Sequence, residues 1–295
     1  MREFSAMDAM WATVLREVSH GDVLLSRAGA TRELIGWSGR LLDPRAAWTR
    51  NPERKLSEAY GAAELLWYLS GSDDATMLKA YAPSYENYLD DGVHAFGAYG
   101  KRWREGDQLR NAVKLLREQP NTRQCVISCW RPEDVRAAAS RATKDLPCTL
   151  TLQFLWRANF LDLIVTMRSN DAWKGMPYDV WCFTTLQRMV AACVDADLGW
   201  YQHQVGSLHL YEEHWERAYA AVGEASSVVS LPSLARPGFY CLAEMERMIG
   251  RAVSLEENFR KGDTTDETVI ESLLGRDTIL GEAVARCAAK WRRRS

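Results

Sequence analysis

The sequence has no long apolar run and no large excess of charge of either sign. Among its 295 residues Lys plus Arg is 37 and Asp plus Glu is 39, so the formal net charge is −2. No stretch approaches the ~20 apolar residues of a membrane-spanning helix. A nearly neutral chain also has no overall positive potential that would attract nucleic acid or an anionic membrane. We therefore expect neither partner, and any bound anion must be held by a local cluster of cations.

The sequence also lacks the cysteine patterns of disulfide scaffolds and zinc ribbons. Its seven cysteines are an odd number, and no C-x-x-C occurs. The first residues, MREFSAMD, lack the apolar segment of a secretory signal. These absences predict a cytoplasmic protein with reduced, mostly buried thiols and no bound metal. One thiol could be a nucleophile, and composition does not say which.

Nucleotide-binding fingerprints are missing as well, since neither G-x-G-x-x-G nor G-x-x-x-x-G-K-[ST] occurs. The spacing of apolar residues predicts helices and strands in irregular order. Helices are expected over residues 1–20, 57–70 (with Ser57 as N-cap and Gly71 just past the end), 108–118, 178–194, 209–222 and after Pro237, a loop over 26–32, and strands over 122–130, 149–157 and 160–167. This mixture without regular β-α-β spacing predicts an α+β fold.

The clearest local pattern is a β-hairpin over residues 149–167. Apolar and polar residues alternate along its first strand, so that one face carries the apolar side chains of Leu150, Leu152, Phe154 and Trp156. A short turn at residues 158–159 leads to the second strand. If the strands pair about this turn, Cys148 and Arg168 lie near the same end of the sheet. A guanidinium beside a thiol favours the thiolate and can also hold a phosphate.

Eight short motifs give these residues a family context. In chain order they are ELLWYL at 64–69, YGKRWR at 99–104, TRQCVISCW at 122–130, LPC at 146–148, QF at 153–154, RSND at 168–171, GMPYD at 175–179 and HLY at 209–211. Their order and spacing resemble the thymidylate synthase family of folate-dependent enzymes, which act on C5 of pyrimidine nucleotides. The resemblance runs over about residues 26–217. It implies one thymidylate synthase-like domain over 1–295, with a divergent helical region over about 231–295.

The resemblance implies a nucleophile and a phosphate site. Cys148 matches the thiol that adds to C6 of the pyrimidine, which lets C5 attack a one-carbon unit. Arg27, Arg168 and Ser169 match phosphate ligands. Arg123 matches an arginine supplied by the partner subunit, so a homodimer formed through a sheet face is implied. The second arginine that usually follows is Gln124 here, which leaves this phosphate site one charge poorer.

Further roles follow from the resemblance in the same way. His209 and Tyr211 match the pair that hydrogen-bonds the sugar hydroxyl, and Gln153 matches a substrate-binding position. Glu64 and Tyr99 match groups that relay protons through ordered water. The folate, 5,10-methylenetetrahydrofolate, is implied to contact four residues: Asp171, Tyr85, Gly175 and Glu64.

Asp179 is the most informative departure from the family pattern. Uridylate-using members have Asn at the matching position, because one amide can donate to O4 and accept from N3–H of uracil. Cytosine reverses that pattern, and a carboxyl with a raised pKa suits its 4-amino group and its N3. Asp179 therefore resembles the cytidylate hydroxymethylase branch. A surface Asp capping a helix that starts near Val180 is the alternative.

The sequence thus predicts a 5-hydroxymethyltransferase for dCMP or CMP, with deoxyribose favoured because Ser169 and the His209–Tyr211 pair are retained. Cys148 would be the nucleophile, Asp179 would read the base, and Glu64 and Tyr99 would handle protons and water. Thr149 and the run 205–207 (VGS) depart from methylating members, as does Tyr85 in place of a Trp. A thymidylate synthase or a (d)CMP methylase is the alternative enzyme. A nucleotide-binding relative without catalysis is the alternative of another class.

Overall fold

The computed structural model describes residues 1–26, 29–224 and 232–292. Its strands are β1 (Arg2–Phe4), β2 (Asp22–Ser26), β3 (Gly29–Leu41), β4 (Val126–Ser128), β5 (Thr149–Arg157), β6 (Phe160–Asp171) and β7 (Asp197–Tyr211). Its helices are α1 (Met7–Val18), α2 (Glu58–Ser70), α3 (Thr76–Tyr81), α4 (Tyr99–Arg104), α5 (Gln108–Glu118), α6 (Pro132–Ser140), α7 (Met176–Val194), α8 (Trp215–Glu224), α9 (Leu242–Lys261), α10 (Thr268–Leu273) and α11 (Ile279–Trp291).

The chain divides into two compact units, each assembled from separate stretches of sequence. The first comprises Met1–Leu56, Cys148–Arg188 and Asp197–Ser233. The second comprises Ser57–Pro147, Met189–Ala196 and Leu234–Ser295. The first unit carries the sheet and the second is mainly helical, so the expected α+β class is confirmed. A single domain over residues 1–295 stays a prediction.

The sheet of the first unit is mixed. Its strands follow the order β1-β3-β7-β6-β5, and β2 pairs with β3. The pairs β1–β3 and β6–β7 are parallel, whereas β2–β3, β3–β7 and β5–β6 are antiparallel. The expected loop at 26–32 is therefore wrong in part, because Ser26 pairs with Gly29 at the tip of the β2–β3 hairpin. Arg27 lies outside the described residues.

The β5–β6 hairpin forms as predicted. Ala158 and Asn159 make its two-residue turn, and both have a positive φ, of 47° and 69°, as the tightest hairpin turns require. Leu152 pairs with Val165. The predicted apolar face is interrupted by an irregular register between Thr149 and Thr151. Leu150, which lies at this irregularity, and Trp156, near the turn, are half-buried, while Leu152 and Phe154 are fully buried.

The segment after residue 196 differs most from its prediction. The expected helix over 209–222 is wrong in its first part, because β7 extends to Tyr211 and α8 begins only at Trp215. Leu208 and Leu210 are buried on either side of the half-buried His209. Alternation with a period of two is typical of a strand. Strand β7 also pairs with β3 on one side and β6 on the other, and the local sequence contains no information about these partners.

Helix α7 crosses the buried face of this sheet. Its Gln187 Nε2 donates to the carbonyl oxygens of Leu161 and Trp200, each at 2.9 Å. These bonds join one helix to two neighbouring strands, β6 and β7. The N-terminal turn of α7 is thereby held near the ends of β6 and β7, where the candidate site lies.

The second unit contains the predicted helix over residues 57–70. The Ser57 side chain accepts from the Tyr60 amide, and Gly71 ends the helix with a φ of 74°, so both caps are as expected. Every residue from Gly61 to Leu69 is buried, which makes α2 a core helix. Helices α9 and α11 pack against α2.

Other boundaries in the chain agree with the sequence to different degrees. Helix α5 matches the expected 108–118, and the region after Pro237 is helical. The strand expected over 122–130 shrinks to the three residues of β4, and the first helix starts at Met7 because β1 precedes it. None of the helices within the described ranges is long and apolar enough to span a bilayer.

Candidate active site

Cys148 and Arg168 meet at one end of the β5–β6 hairpin, as the sequence predicts. Arg168 Nη2 lies 3.8 Å from Cys148 Sγ. The Arg168 amide also donates to the Cys148 carbonyl at 2.8 Å, which fixes the two backbones together. Cys148 is half-buried, whereas five of the other six cysteines are buried. A partly accessible thiol beside a guanidinium is the environment that favours a thiolate nucleophile.

Ser169 and His209 form a second pair beside the first. Ser169 lies on β6, and its Oγ is 3.3 Å from His209 Nδ1 on β7. The His209 ring meets the Tyr211 ring edge-on, with centroids 5.1 Å apart. All three side chains are half-buried. The structure therefore gathers the predicted sugar pair and one predicted phosphate ligand on adjacent strands.

Asp171 ends β6 and organises the turn that follows. Its Oδ1 accepts from the amides of Trp173 at 2.8 Å and Lys174 at 2.9 Å. Arg54 Nε donates to the Trp173 carbonyl at 2.8 Å, and Trp11 Nε1 donates to the Ala172 carbonyl at 2.7 Å. The turn leading into α7 is thus held by bonds from Trp11, Arg54 and Asp171, which fixes the place where α7 begins.

Asp179 lies in the first turn of α7 and is nearly inaccessible, with 7% of its surface exposed. Asn170 Nδ2 donates to its Oδ2 at 2.8 Å. Burial raises the pKa of Asp179 to about 7, although the Asn170 hydrogen bond opposes the rise. Since α7 already begins at Met176, the surface-cap alternative is wrong, and the carboxyl is held partly protonated near neutral pH.

Gly175 leaves room for this pair. A Cβ at Gly175 would lie 3.3 Å from both Asn170 Nδ2 and Asp179 Oδ2. That distance is tighter than ordinary van der Waals contact, so the bare Cα keeps the Asn170–Asp179 bond undisturbed. Gly175 therefore acts on the predicted base reader, while its predicted contact with the folate stays a prediction.

Three residues of this region were missed by the sequence reasoning. Asn170 Oδ1 lies 2.9 Å from His203 Nε2, and His203 Nδ1 lies 2.7 Å from the Tyr201 hydroxyl. Tyr201 and His203 are completely buried on β7. The signal that could have found them is the period of two in β7, which places a His and a Tyr on the core face of the sheet. We call Tyr201, His203, Asn170 and Asp179 the buried hydrogen-bond chain.

Gln153 stands apart from these residues. It lies further along β5 opposite Ile164 and is half-buried. The neighbouring Leu152 and Phe154 point into the core, so Gln153 faces the other side of the sheet. The register does not bring it to the Cys148 end of the hairpin, and its substrate contact stays a prediction.

The remaining predicted residues belong to the second unit. Glu64 is buried in α2, with 8% of its surface exposed, and the Tyr60 hydroxyl donates to its Oε1 at 2.8 Å. The acid therefore lies in a core and is not on a solvated helix face. Tyr99 begins α4, and its half-buried ring lies 5.2 Å from that of Tyr68.

Tyr85 and Arg123 are more accessible members of the second unit. The half-buried Tyr85 ring contacts Trp67 edge-on at 6.1 Å and Tyr88 at 5.9 Å. Arg123 is exposed and precedes the exposed Gln124. Within the described ranges, no group of three or more His, Cys, Asp or Glu side chains could hold a metal ion.

Comparison with known proteins identifies the family. The thymidylate synthase family model matches residues 52–236, which is more than half of the chain and includes Cys148, Arg168 and Asp179. This chain belongs to the thymidylate synthase family. Members of the thymidylate synthase family are folate-dependent one-carbon transferases that use methylenetetrahydrofolate as co-substrate.

Two relatives are phage proteins with the same name. Deoxyuridylate hydroxymethyltransferase of Pseudomonas phage M6 is 35% identical over 166 residues, which cover 55% of this chain and 46% of the phage protein. Deoxyuridylate hydroxymethyltransferase of Bacillus phage SP01 is 27% identical over 282 residues, which cover 86% of this chain and 72% of that protein. The chain thus aligns with about half the length of the M6 protein and with most of the SP01 protein.

Proposed function

We propose that this protein is a deoxycytidylate 5-hydroxymethyltransferase, with cytidylate as the ribose alternative. It would transfer a one-carbon unit from 5,10-methylenetetrahydrofolate to C5 of cytosine and add water, giving 5-hydroxymethyl-dCMP and tetrahydrofolate. The observation that carries the proposal is the buried Asp179, whose pKa is raised to about 7 and whose Oδ2 is held by Asn170.

Cys148 would start the reaction. Its Sγ adds to C6 of the pyrimidine, and the electron density moved to C5 lets that carbon attack a one-carbon unit. The Arg168 guanidinium, 3.8 Å from Sγ, supports the thiolate. The buried Glu64, already hydrogen-bonded by Tyr60, is suited to exchange protons with the base through ordered water, together with Tyr99.

Asp179 would read the base. As a neutral acid it offers one donor to N3 of cytosine and one acceptor to the 4-amino group, which is the pattern that cytosine needs. N3 becomes more basic once the ring is attacked at C6, so a carboxyl with a pKa near 7 can share its proton with N3 during the reaction. Both functions depend on the burial that raises the pKa of Asp179.

The phosphate and sugar would be held by the groups around Cys148. Arg168 and Ser169 would bind the phosphate with Arg27 and with Arg123 from a partner subunit. His209 and Tyr211, whose rings touch, would hydrogen-bond the sugar. The homodimer would form through the sheet face that bears Gln153 and Thr166, which are half-buried side chains of the first unit.

The folate would be held by Asp171 and Gly175 of the first unit and by Tyr85 and Glu64 of the second, and each unit by itself supplies groups that suit such a molecule. Tyr85 presents a half-buried ring within an aromatic group that also contains Trp67 and Tyr88, which suits an aromatic ligand. Two backbone amides fix the orientation of the Asp171 carboxyl at Oδ1. When bound, the folate supplies the one-carbon unit that C5 attacks.

Deoxyuridylate hydroxymethylation is the second candidate function. It is favoured by the names of the two phage relatives, both called deoxyuridylate hydroxymethyltransferase. The two candidates share the nucleophile, the folate and the water step, and they differ only in the base that Asp179 faces. The acid form of Asp179 favours cytosine in the arrangement proposed above, because a donor that faces N3 of cytosine would face the N3–H donor of uracil.

The test is a product assay with the purified protein, methylenetetrahydrofolate and, in parallel, dCMP, CMP and dUMP. We expect a 5-hydroxymethyl nucleotide and tetrahydrofolate, fastest from dCMP. Dihydrofolate formed with a 5-methyl product would overturn the hydroxymethyl assignment in favour of methylation. A higher kcat/KM for dUMP would support the second candidate, and nucleotide binding without product would point to a relative that does not catalyse.

A further inference from the structure

The buried hydrogen-bond chain links the proposed base reader to two side chains that have no expected contact with substrate. It runs from the Tyr201 hydroxyl to His203 Nδ1 at 2.7 Å, from His203 Nε2 to Asn170 Oδ1 at 2.9 Å, and from Asn170 Nδ2 to Asp179 Oδ2 at 2.8 Å. Tyr201 and His203 are 0% exposed and Asn170 is 3% exposed. A chain of this kind has a direction, because each link needs one donor and one acceptor.

Tyr201 sets the direction. Within the described part of the chain, His203 Nδ1 is the one hydrogen-bond partner of the Tyr201 hydroxyl. Burial raises the pKa of Tyr201 well above its ordinary value, so the phenol keeps its proton. If His203 donated to Tyr201 instead, the O–H would be left without an acceptor in a dry interior, which is costly. The hydroxyl therefore donates to Nδ1.

The remaining links follow from that donation. Burial lowers the pKa of His203 to about 3, so the ring is neutral and carries a single proton, which must be on Nε2. Nε2–H then donates to Asn170 Oδ1, and the Asn170 amide is oriented with Nδ2 toward Asp179. Reversing Asn170 would place two donors together at Nε2 and two acceptors together at Asp179 whenever that carboxyl is ionised.

The orientation of Asn170 determines which oxygen of Asp179 can be protonated. Oδ2 faces an N–H donor, and a proton on Oδ2 would compete with that bond. The acid form therefore carries its proton on Oδ1. A carboxylic acid that is free to move its proton can pair with cytosine or with uracil, since each oxygen can be donor or acceptor. A proton confined to Oδ1 leaves one pattern, a donor at Oδ1 and an acceptor at Oδ2.

We propose that Tyr201 and His203 are positioning residues which, through Asn170, confine the Asp179 proton to Oδ1 and so select cytosine over uracil. Cytosine N3 would face Oδ1 and the 4-amino group would face Oδ2. Uracil in the same pose would bring N3–H against Oδ1–H, two donors together. This inference rests on the proposed function, because it assigns the specificity of the same base-reading carboxyl.

The titratable groups around Asp179 come from two strands. Asp171, at the end of β6, raises the pKa of Asp179 by its charge. Tyr201 and His203, on β7, are neutral. The hydrogen bond from Asn170 lowers the pKa of Asp179. Loosening Asn170 should therefore raise that pKa further, and a packing role for Tyr201 alone would have no such effect.

The test is Tyr201→Phe, which removes one hydroxyl and keeps the ring. We expect the ratio of kcat/KM for dCMP to that for dUMP to fall about tenfold. The alkaline limb of the pH profile for dCMP should move to higher pH. Tyr81→Phe is the matched control, because Tyr81 is a buried tyrosine of the second unit whose hydroxyl bonds Glu256. Equal losses for both bases with an unchanged profile would overturn the proposal.

A measurement on the unaltered protein covers the case in which Tyr201→Phe does not fold. The ¹⁵N shifts of its five histidines report tautomers, and loss of one signal in His203→Gln assigns His203. We expect a neutral Nε2–H ring from pH 5 to pH 8, and an Nδ1–H ring would overturn the proposal. If the protein prefers dUMP, the proposed function fails and the selection of cytosine fails with it. If the protein prefers dCMP, an Nδ1–H ring at His203 or an unchanged base ratio in Tyr201→Phe would overturn this inference alone.

Discussion

Asn170 Nδ2 lies 2.8 Å from Asp179 Oδ2, and both side chains are buried. Asn170 comes from the last residues of β6 and Asp179 from the first turn of α7, so the bond spans the turn that Asp171 organises. The Asn170 amide thus stabilises the buried Asp179 carboxyl by a hydrogen bond and not by an opposite charge. The result is an acid that titrates near neutral pH at the point where the base is proposed to bind.

The first prediction concerns base preference. Asp179→Asn should raise the ratio of kcat/KM for dUMP to that for dCMP by about tenfold to a hundredfold, because an amide has no acidic proton to share with N3 of cytosine when the ring is attacked at C6, whereas uracil already carries a proton on N3. Steady-state kinetics with both nucleotides measure it. Asp162→Asn is the control, since Asp162 is also buried in this sheet, where it accepts from the Trp200 amide. An unchanged ratio in Asp179→Asn would remove Asp179 from base recognition.

The second prediction concerns stability and pH. The pKa of Asp179 is about 7 in the folded protein against an ordinary 3.8, so the folded state binds more protons than the unfolded state between these values. The contribution of Asp179 to the free energy of unfolding should therefore fall as pH rises from about 4 to 7. Asp179→Asn removes this dependence and should have the higher melting temperature at pH 8, with the difference reduced at pH 4. Equal differences at the two pH values would contradict the raised pKa.

The third prediction concerns the thiol. Arg168→Gln removes the cation 3.8 Å from Cys148 Sγ, so alkylation of Cys148 by iodoacetamide at pH 7.5 should slow about tenfold. Peptide mass spectrometry measures the rate at each cysteine. Cys148→Ala should lose all turnover while nucleotide still binds. Cys241→Ala, at the other half-buried cysteine, is the control and should keep activity. An unchanged alkylation rate in Arg168→Gln would mean that the guanidinium does not support the thiolate.

The fourth prediction concerns Gly175. Gly175→Ala would bring a Cβ to 3.3 Å from Asn170 Nδ2 and Asp179 Oδ2, so kcat/KM for dCMP should fall several-fold with little loss of stability. Gly250→Ala is the control, because a Cβ there meets nothing within 4 Å and α9 should gain about 0.5–1 kcal/mol of stability. Unchanged kinetics in Gly175→Ala would show that the pair tolerates a displacement.

Local sequence was sufficient where the determining contacts are between near neighbours. The meeting of Cys148 and Arg168 follows from a hairpin whose two-residue turn fixes the register. The caps of α2 follow from Ser57 and Gly71. The burial of Glu64 follows from the apolar residues after it. Each of these needs only contacts within about twenty residues.

Local sequence was insufficient where pairing partners are distant. The expected helix over 209–222 is wrong at its start because the apolar residues at the end of β7 resemble a helical pattern in the sequence. The strand is determined by β3 and β6, which pair with it from either side. The irregular register at Thr149 likewise depends on β6. The spacing of apolar residues within one segment does not reveal which strand pairs with it or in which register.

The sequence by itself determined the family, through ordered motifs, and named Cys148, Arg168 and Asp179 as the residues of interest. Only the tertiary structure decided that Asp179 is an acid with a pKa near 7 whose hydrogen bonding begins at Tyr201. The physical reason is that burial and the parallel pairing of β6 with β7 bring together side chains more than twenty residues apart. A pKa depends on that environment, and the residue type alone does not determine it.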